Sequence, residues 1–143
     1  MIDSFDKDYK FLSNFYPVKI HLSRITFPSA EHAYQAVKSV DLRYRRSLIS
    51  MTAGQAKRSG RKIRLRDKWE DIKEELMLKI VRLKFVHPNL ADLLKDTGVQ
   101  ELIEGNYWHD SFWGICYCDK HKGIGNNALG KILMKVREEL KTE

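Results

Sequence analysis

Between Leu102 and Lys131 the chain reads LIEGNYWHDSFWGICYCDKHKGIGNNALGK, a stretch crowded with side chains that do chemistry. Trp108, Trp113, both cysteines, His109, His121 and Asp110 lie in it, and no helical or strand period runs through its first part. Gly123, Gly125, Asn126 and Asn127 then lead into an apolar-periodic helix. Aromatic, acidic and amide side chains on a loop that ends at a helix start suit a ligand carrying both a base and an anion. Asp110 sits between Trp108-His109 and Phe112-Trp113. In that setting it reads as a partly desolvated acid–base group or an anionic stabiliser of positive charge. The plainer reading is a turn-forming Asp whose side chain bonds its own backbone. Glu31 stands in the first turn of a predicted helix, where a carboxylate complements the helix dipole. Facing a cleft, it would orient or activate water.

Several motif readings fail on a missing part. Gly125-Asn-Asn-Ala-Leu-Gly130-Lys131 fits the end of a phosphate loop, but Ile132 stands where the magnesium-binding hydroxyl belongs. Gly123-Ile-Gly125-Asn-Asn-Ala128 mimics a dinucleotide fingerprint without its βαβ unit or downstream acid. What survives is a helix start that holds an anion, or a loop-to-helix turn with an Asn cap. Cys116-x-Cys118-x-x-His121, with His109 nearby, offers metal-ligand types at a spacing unlike the usual zinc knuckles. Cysteines in such an aromatic segment are more often small buried hydrophobes, so no metal is expected. Trp69, Trp108 and Trp113 could stack on a nucleobase. Trp69 also fits a packed helix stripe. For His32 and His109 a buried, hydrogen-bonded ring is the commoner role than acid–base work.

The elements that must position these groups are mostly helices. VKIHLSRITF alternates as a short hairpin. Ser29 is placed to cap a helix over SAEHAYQAVKSV. Short helices are predicted over 42–50 and 53–60, with Gly60 as a terminator. A longer helix spans about 69–86, with Asp67 and Glu70 as a capping-box-like pair. Its stripe is Trp69, Ile72, Leu76, Ile80 and Leu83. Pro88 starts another helix that ends near Thr97-Gly98. The last, from about Asn127, presents Leu129, Ile132, Leu133, Val136 and Leu140. The fold class expected is α+β: one mostly helical domain over residues 1–143 with a small β element.

At 143 residues, 43% hydrophobic and 31% charged, the chain is long enough for a real core. No apolar run approaches the roughly 18 residues of a membrane span, and the acidic, mixed start does not read as a secretory signal. A cytoplasmic setting with reduced thiols is expected. Lys and Arg number 26 against 19 Asp and Glu, for a net charge of +7. The excess is concentrated between Arg43 and Lys68, where Asp67 is the only acid among ten basic residues. Such a patch favours a phosphorylated small molecule or nucleic acid, unless it is simply a solvated charged face.

Taken together, FLSNFYP, SAEHAYQAVK, AKRSGR, RDKWEDIKEELMLKIVRLKF and the TG…LIEGN…D…WG…G-x-N-x-LGKILMKVRE ending resemble the NADAR superfamily, the YbiA-like or DUF1768 family, in colinear order over nearly the whole chain. The resemblance implies an α+β N-glycosidase that cleaves bonds between ribose and a nitrogen base without metal or other cofactor. Implied substrates are phosphorylated ribosylamino-pyrimidines of riboflavin synthesis, or ADP-ribose on guanine in nucleic acid. It implies catalytic roles for Glu31, Trp69 and Asp110, and phosphate contacts from Lys57 and Arg61 in the AKxxGR segment. Asn14 and Phe15 of the SNF motif, His32, Trp113, Gly114 and Asn126 complete the expected binding set. An N-glycosidic bond breaks through an oxocarbenium-like transition state, and sugar hydrolases commonly stabilise it with two carboxylates. Glu31 and Asp110 are that pair here, and Trp69 would stack on the departing base. Ala33 replaces an aromatic residue common after Glu-His, and Asp67-Lys68 replaces a frequent Pro-Asp; both changes bear on base and substrate choice. A non-catalytic module binding NAD or ADP-ribose, and a basic nucleic-acid-binding domain using the Arg43–Lys68 patch, are the rival classes.

Overall fold

A computed structural model describes residues 1–142. The fold is α+β and mostly helical, as expected, and it separates into two compact units: Asn14–Lys84, and Met1–Ser13 with the chain from Phe85 onward.

The Asn14–Lys84 unit begins with the predicted hairpin, β1 (Pro17–Leu22) antiparallel to β2 (Ile25–Ser29). Ile20 faces Phe27 and Leu22 faces Ile25 across the pair, and all four are buried. Ser23 and Arg24 make the turn with φ of 52° and 66°. Both therefore adopt the left-handed conformation of a primed two-residue turn, usually left to Asn-Gly, because it matches the strand twist.

Ser29 ends β2 and caps α1 (Ala30–Val37), its side chain accepting from the His32 N–H. Every residue of α1 is buried. It is therefore a central helix rather than an amphipathic one, and its polar members Glu31, His32 and Gln35 need partners inside the protein. The helix stops at Val37, short of the predicted end. The buried Arg45 accounts for this by donating through Nε to the carbonyls of Ala36 (3.1 Å) and Ser39 (2.8 Å).

The helix predicted over 42–50 is α2 (Leu42–Ser47) followed by a 3-10 turn at Leu48–Ser50, the tighter winding common at helix ends. α3 (Ala53–Gly60) matches the prediction. Thr52 and Gln55 close a full capping box, of a kind worth about 1 kcal/mol.

α4 (Trp69–Lys84) starts after a left-handed Lys68 (φ 60°). The expected Asp67–Glu70 box does not form; the Glu70 carboxylate pairs with Lys73 Nζ at 2.6 Å. The buried stripe is Trp69, Met77, Ile80, Val81 and Lys84. Ile72, Leu76 and Leu83 of the expected stripe are only half-buried. Sequence pattern alone would not choose a lysine for the buried side. Lys84 nonetheless lies there with its ammonium 5.8 Å from the Tyr16 ring centre, and burial lowers its pKa to about 7.

The other unit holds a 3-10 turn (Lys7–Leu12), α5 (Pro88–Asp96) and α6 (Ala128–Lys141). Two short strands, β3 (Gly105–Asn106) and β4 (Ile115–Cys116), pair in parallel inside the stretch that showed no period. Ile2 bridges Leu102 beside them. Gly98, at φ 69°, ends α5 as predicted. The buried Arg137 of α6 donates to Thr97 Oγ1 and the Gln100 carbonyl, both at 2.9 Å, and so ties α6 to the end of α5. Leu140 is half-buried rather than core. Among the described residues no helix is long and apolar enough to cross a membrane.

Candidate functional site

In the Asn14–Lys84 unit the chemistry gathers on α1. Glu31 is 7% exposed, and its backbone N–H donates to the Asn14 carbonyl at 2.9 Å. The SNF segment is thereby fixed against the first turn of α1. The Gln35 side-chain amide donates to Glu31 Oε1 at 2.7 Å, the i to i+4 reach of a helix. Gln35 Oε1 itself is buried without a hydrogen-bond partner. Gly60 explains how the amide fits, because a Cβ there would lie 1.8 Å from Gln35 Oε1. The glycine of AKRSGR thus does more than end α3. It makes room for the side chain that orients Glu31.

Gly60→Ala is therefore expected to push Gln35 off the carboxylate inside a site with no slack. Overpacking of this kind costs about 1–3 kcal/mol. Thermal unfolding should show that loss, and activity at a temperature where the variant is still folded should fall as well. Wild-type values for both would mean that the Gln35–Glu31 contact is dispensable.

Glu31 acts on the charge of Lys38. Burial holds the Lys38 ammonium below its ordinary pKa; Glu31 opposes that shift, while Arg61, Lys57 and Lys73 reinforce it. These five charged groups therefore share one electrostatic neighbourhood with a positive excess. Lys57 Nζ also lies 5.8 Å from the Phe15 ring centre, and Lys38 Nζ lies 5.2 Å from that of Tyr34. Tyr34 in turn packs at 5.6 Å on Trp69, whose ring is 6% exposed. The tryptophan at the start of α4 is thus largely core-packed. Asn14 points its amide at the Met77 sulfur, a weak contact at 3.5 Å.

His32 is held on both sides. Its Nδ1 lies 2.6 Å from Ser29 Oγ and its Nε2 lies 2.7 Å from the Met51 carbonyl. A carbonyl only accepts, so Nε2 carries the proton, and the ring locks the start of α1 to the turn before α3. Two members of the basic patch are likewise spent on structure. Arg45 caps α1, and Arg66 donates through its backbone and Nη1 to the carbonyls of Lys38 and Val37. Arg43, Arg46, Arg58, Arg61, Lys62, Arg64 and Lys68 remain exposed.

In the other unit Asp110 sits in the turn that its flanking residues suggested. Asp110 Oδ1 accepts from the N–H groups of Phe112 (3.2 Å) and Trp113 (2.9 Å). The buried Asn106 holds the Asp110 backbone from both ends. Its amide donates to the Asp110 carbonyl at 2.8 Å and accepts the Asp110 N–H at 3.1 Å. It donates as well to Glu104 Oε2 at 3.1 Å. Gly114 is required beside them, since a Cβ would meet Glu104 Oε2 and the Glu104 carbonyl at 1.9 and 2.1 Å. Trp113 is half-buried, edge-on to Phe112 at 4.8 Å.

Between an anion rest and a loop-to-helix turn, the backbone of residues 126–129 supports the turn. The amides of Asn126, Asn127, Ala128 and Leu129 donate to the carbonyls of Ser111, Gly114, Phe112 and Trp113. The N–H groups at this end of α6 therefore hold the Asp110 loop. Asn126 keeps an exposed side chain. Asn127 does not cap the helix with its side chain either. That buried amide accepts from the Glu104 N–H and donates to the Leu102 carbonyl. Gly130 lies inside α6, where a Cβ would strike the Leu102 carbonyl, which accounts for the second glycine of the false phosphate loop.

Gln35, Lys38, Lys73 and Asn106 were not anticipated from the sequence. The spacing of Gln35 four residues after Glu31 is the one signal that could have found any of them.

The NADAR domain family matches residues 2–141. The chain is 44% identical over 139 residues to the riboflavin biosynthesis protein VVA0006 of Vibrio vulnificus; the match takes in 94% of this chain and 36% of that longer protein. It is 38% identical over 140 residues to the N-glycosidase YbiA of Escherichia coli, covering 95% of this chain and 84% of the relative. The solution structure of E. coli YbiA superimposes with a TM-score of 0.81 at 35% identity, over 99% of this chain and 88% of that one. The chain belongs to the NADAR domain family. Its similarity to YbiA over most of both chains supports an N-glycosyl hydrolase.

Proposed function

We propose that this protein hydrolyses the N-glycosidic bond between a nitrogen base and a phosphorylated ribose, either a ribose phosphate or ADP-ribose. The carrying observation is the buried Glu31 carboxylate, held by the Gln35 amide and close enough to Lys38 to act on its charge, with Lys57 and Arg61 acting on the same lysine. A buried carboxylate next to basic side chains suits a substrate with both phosphate charge and a reacting carbon that turns positive. Charge-assisted hydrogen bonds from Lys57 and Arg61 would hold the phosphate. Phe15, Tyr34 and the edge of Trp69 would line the base side, and Asn14 and Asn126 would bond sugar or phosphate oxygens.

In the reaction the bond from C1′ to the base nitrogen breaks, and its electron pair leaves with the base, which takes up a proton. Positive charge spreads over C1′ and the ring oxygen. Water then adds to C1′ and gives up a proton to a carboxylate. Glu31 and Asp110 are the two carboxylates of this reading, one as proton acceptor for water and one as the negative charge that stabilises the cation. Gln35 and His32 act through Glu31 and the start of α1 as positioning residues. The arrangement of these side chains calls for no cofactor in that sequence of steps.

The relatives' names bear on substrate. A riboflavin biosynthesis protein among them favours a ribosylamino-pyrimidine phosphate. The exposed arginines and lysines between Arg43 and Lys68 suit ADP-ribosylated guanine in nucleic acid. The test is chromatographic detection of free base after incubation with each substrate. Base release from either one is expected. Tight binding of both without release would leave the non-catalytic ADP-ribose-binding class instead. Binding of plain nucleic acid that collapses steeply with salt, again without release, would point to the nucleic-acid-binding class.

A further inference from the structure

The fold gathers His109, Cys116, Cys118 and His121 into one cluster, with one donor atom from each and all four within 4.8 Å of one another. His109 Nδ1 and His121 Nδ1 are 3.3 Å apart. Cys118 Sγ lies 3.4 Å from His109 Nδ1 and 3.0 Å from His121 Nδ1. A tetrahedral zinc ion with Zn–S near 2.3 Å and Zn–N near 2.0–2.1 Å requires ligand edges of about 3.3–3.8 Å. The N–N edge and one S–N edge fall in that range, the other S–N edge is 3.0 Å, and the four donors, spread over as much as 4.8 Å, would draw together on the ion.

We propose that His109, Cys116, Cys118 and His121 form a structural Cys2His2 zinc site that pins the loop carrying Asp110. All four positions would be filled by protein, so the ion would hold the loop and would not take part in hydrolysis.

The backbone is arranged for this. Cys116 is held in β4, its N–H bonded to the Ile124 carbonyl at 3.0 Å. The turn from Cys118 to Lys122 is closed by the His121 and Lys122 N–H groups on the Cys118 carbonyl. The His121 N–H also lies 3.4 Å from Cys118 Sγ, the kind of N–H···S contact that supports a thiolate ligand. His109 reaches the cluster from the far side of the loop in a left-handed conformation, φ 73°, which is uncommon for a non-glycine residue and worth explaining by function.

The order His-x6-Cys-x-Cys-x2-His does not match the usual zinc-knuckle spacing, which is why the sequence pointed away from metal. The parallel β3–β4 pair and the Asn106 clamp bring the first histidine to the last three ligands, and no spacing rule encodes that closure.

The test uses the whole protein under reducing conditions. Elemental analysis of protein purified without chelator is expected to give one zinc per chain. Protein stripped of metal and titrated with Co2+ alone is expected to develop the intense visible bands of a tetrahedral cobalt centre with a thiolate charge-transfer band, reversed by added Zn2+. Cys118→Ser and His121→Asn are expected to lose both the stoichiometric zinc and the cobalt bands while keeping the helical circular dichroism of the wild type. A wild-type protein that retains no zinc and gives only the weak spectrum of aqueous Co2+ would overturn the proposal. So would variants that bind cobalt as the wild type does. The wild-type titration decides the matter even if a variant fails to fold.

Discussion

Glu31→Gln is expected to leave the Asn14–Lys84 unit folded and to lower the rate of base release about 10²–10⁴-fold, the usual cost of a lost acid–base group. The structure makes this substitution a clean probe. Gln35 donates its amide to Glu31 Oε1, and a glutamine carbonyl can accept the same hydrogen bond, so the packing of α1 survives. What disappears is the negative charge. The Glu31 charge opposes the downward shift of the Lys38 pKa, so Lys38 should titrate still lower in the variant. That second readout separates a local charge change from unfolding. Full turnover in a folded Glu31→Gln protein would remove Glu31 from the mechanism.

Asp110→Asn is expected to cost a similar factor, about 10²–10⁴ in rate, with the loop intact. Here the structural and chemical roles of one side chain can be told apart. Oδ1 accepts from the Phe112 and Trp113 N–H groups, and an asparagine carbonyl oxygen accepts them equally well. Asp110→Ala loses both bonds and leaves two N–H groups unsatisfied, at about 1–3 kcal/mol each if they are buried. If Asp110 supplies charge to the cationic transition state, asparagine and alanine both abolish most of the activity and only alanine lowers the melting temperature. If it only shapes the turn, asparagine behaves as wild type. Rates and unfolding curves for the two variants side by side distinguish these outcomes, and wild-type rates for Asp110→Asn would discard the two-carboxylate mechanism.

Both experiments bear on how each carboxylate was read from the sequence. Asp110 is flanked by aromatics and turn formers, a setting that suits both a turn and a charge. The turn role is plainly present, and the charge role is left for kinetics. For Glu31, first-turn placement after a serine cap is legible because capping is local: an oxygen three residues from an N–H needs no tertiary partner. The same locality explains why α3 and α5 fall where the Thr52 cap, Pro88 and Gly98 put them. The weak points were local signals overridden by packing. α1 ends at Val37, where Arg45 of the next helix takes the Ala36 carbonyl. The stripe of α4 turns because Lys84 goes inside.

By itself the sequence determined the hairpin and the order of the helices, the concentration of positive charge between Arg43 and Lys68, and the family, since colinear motifs survive in residue types alone. Tertiary structure decided what the motif residues do. The N–H groups of residues 126–129 hold the Asp110 loop. His32 is tied at both nitrogens, and Gly60 exists for the Gln35 amide. Four ligand-type side chains that spacing had dismissed converge behind Asp110. Each of these depends on which groups meet across folded distances, and hydrogen bonds and close contacts between residues remote in sequence leave no periodic trace in the chain.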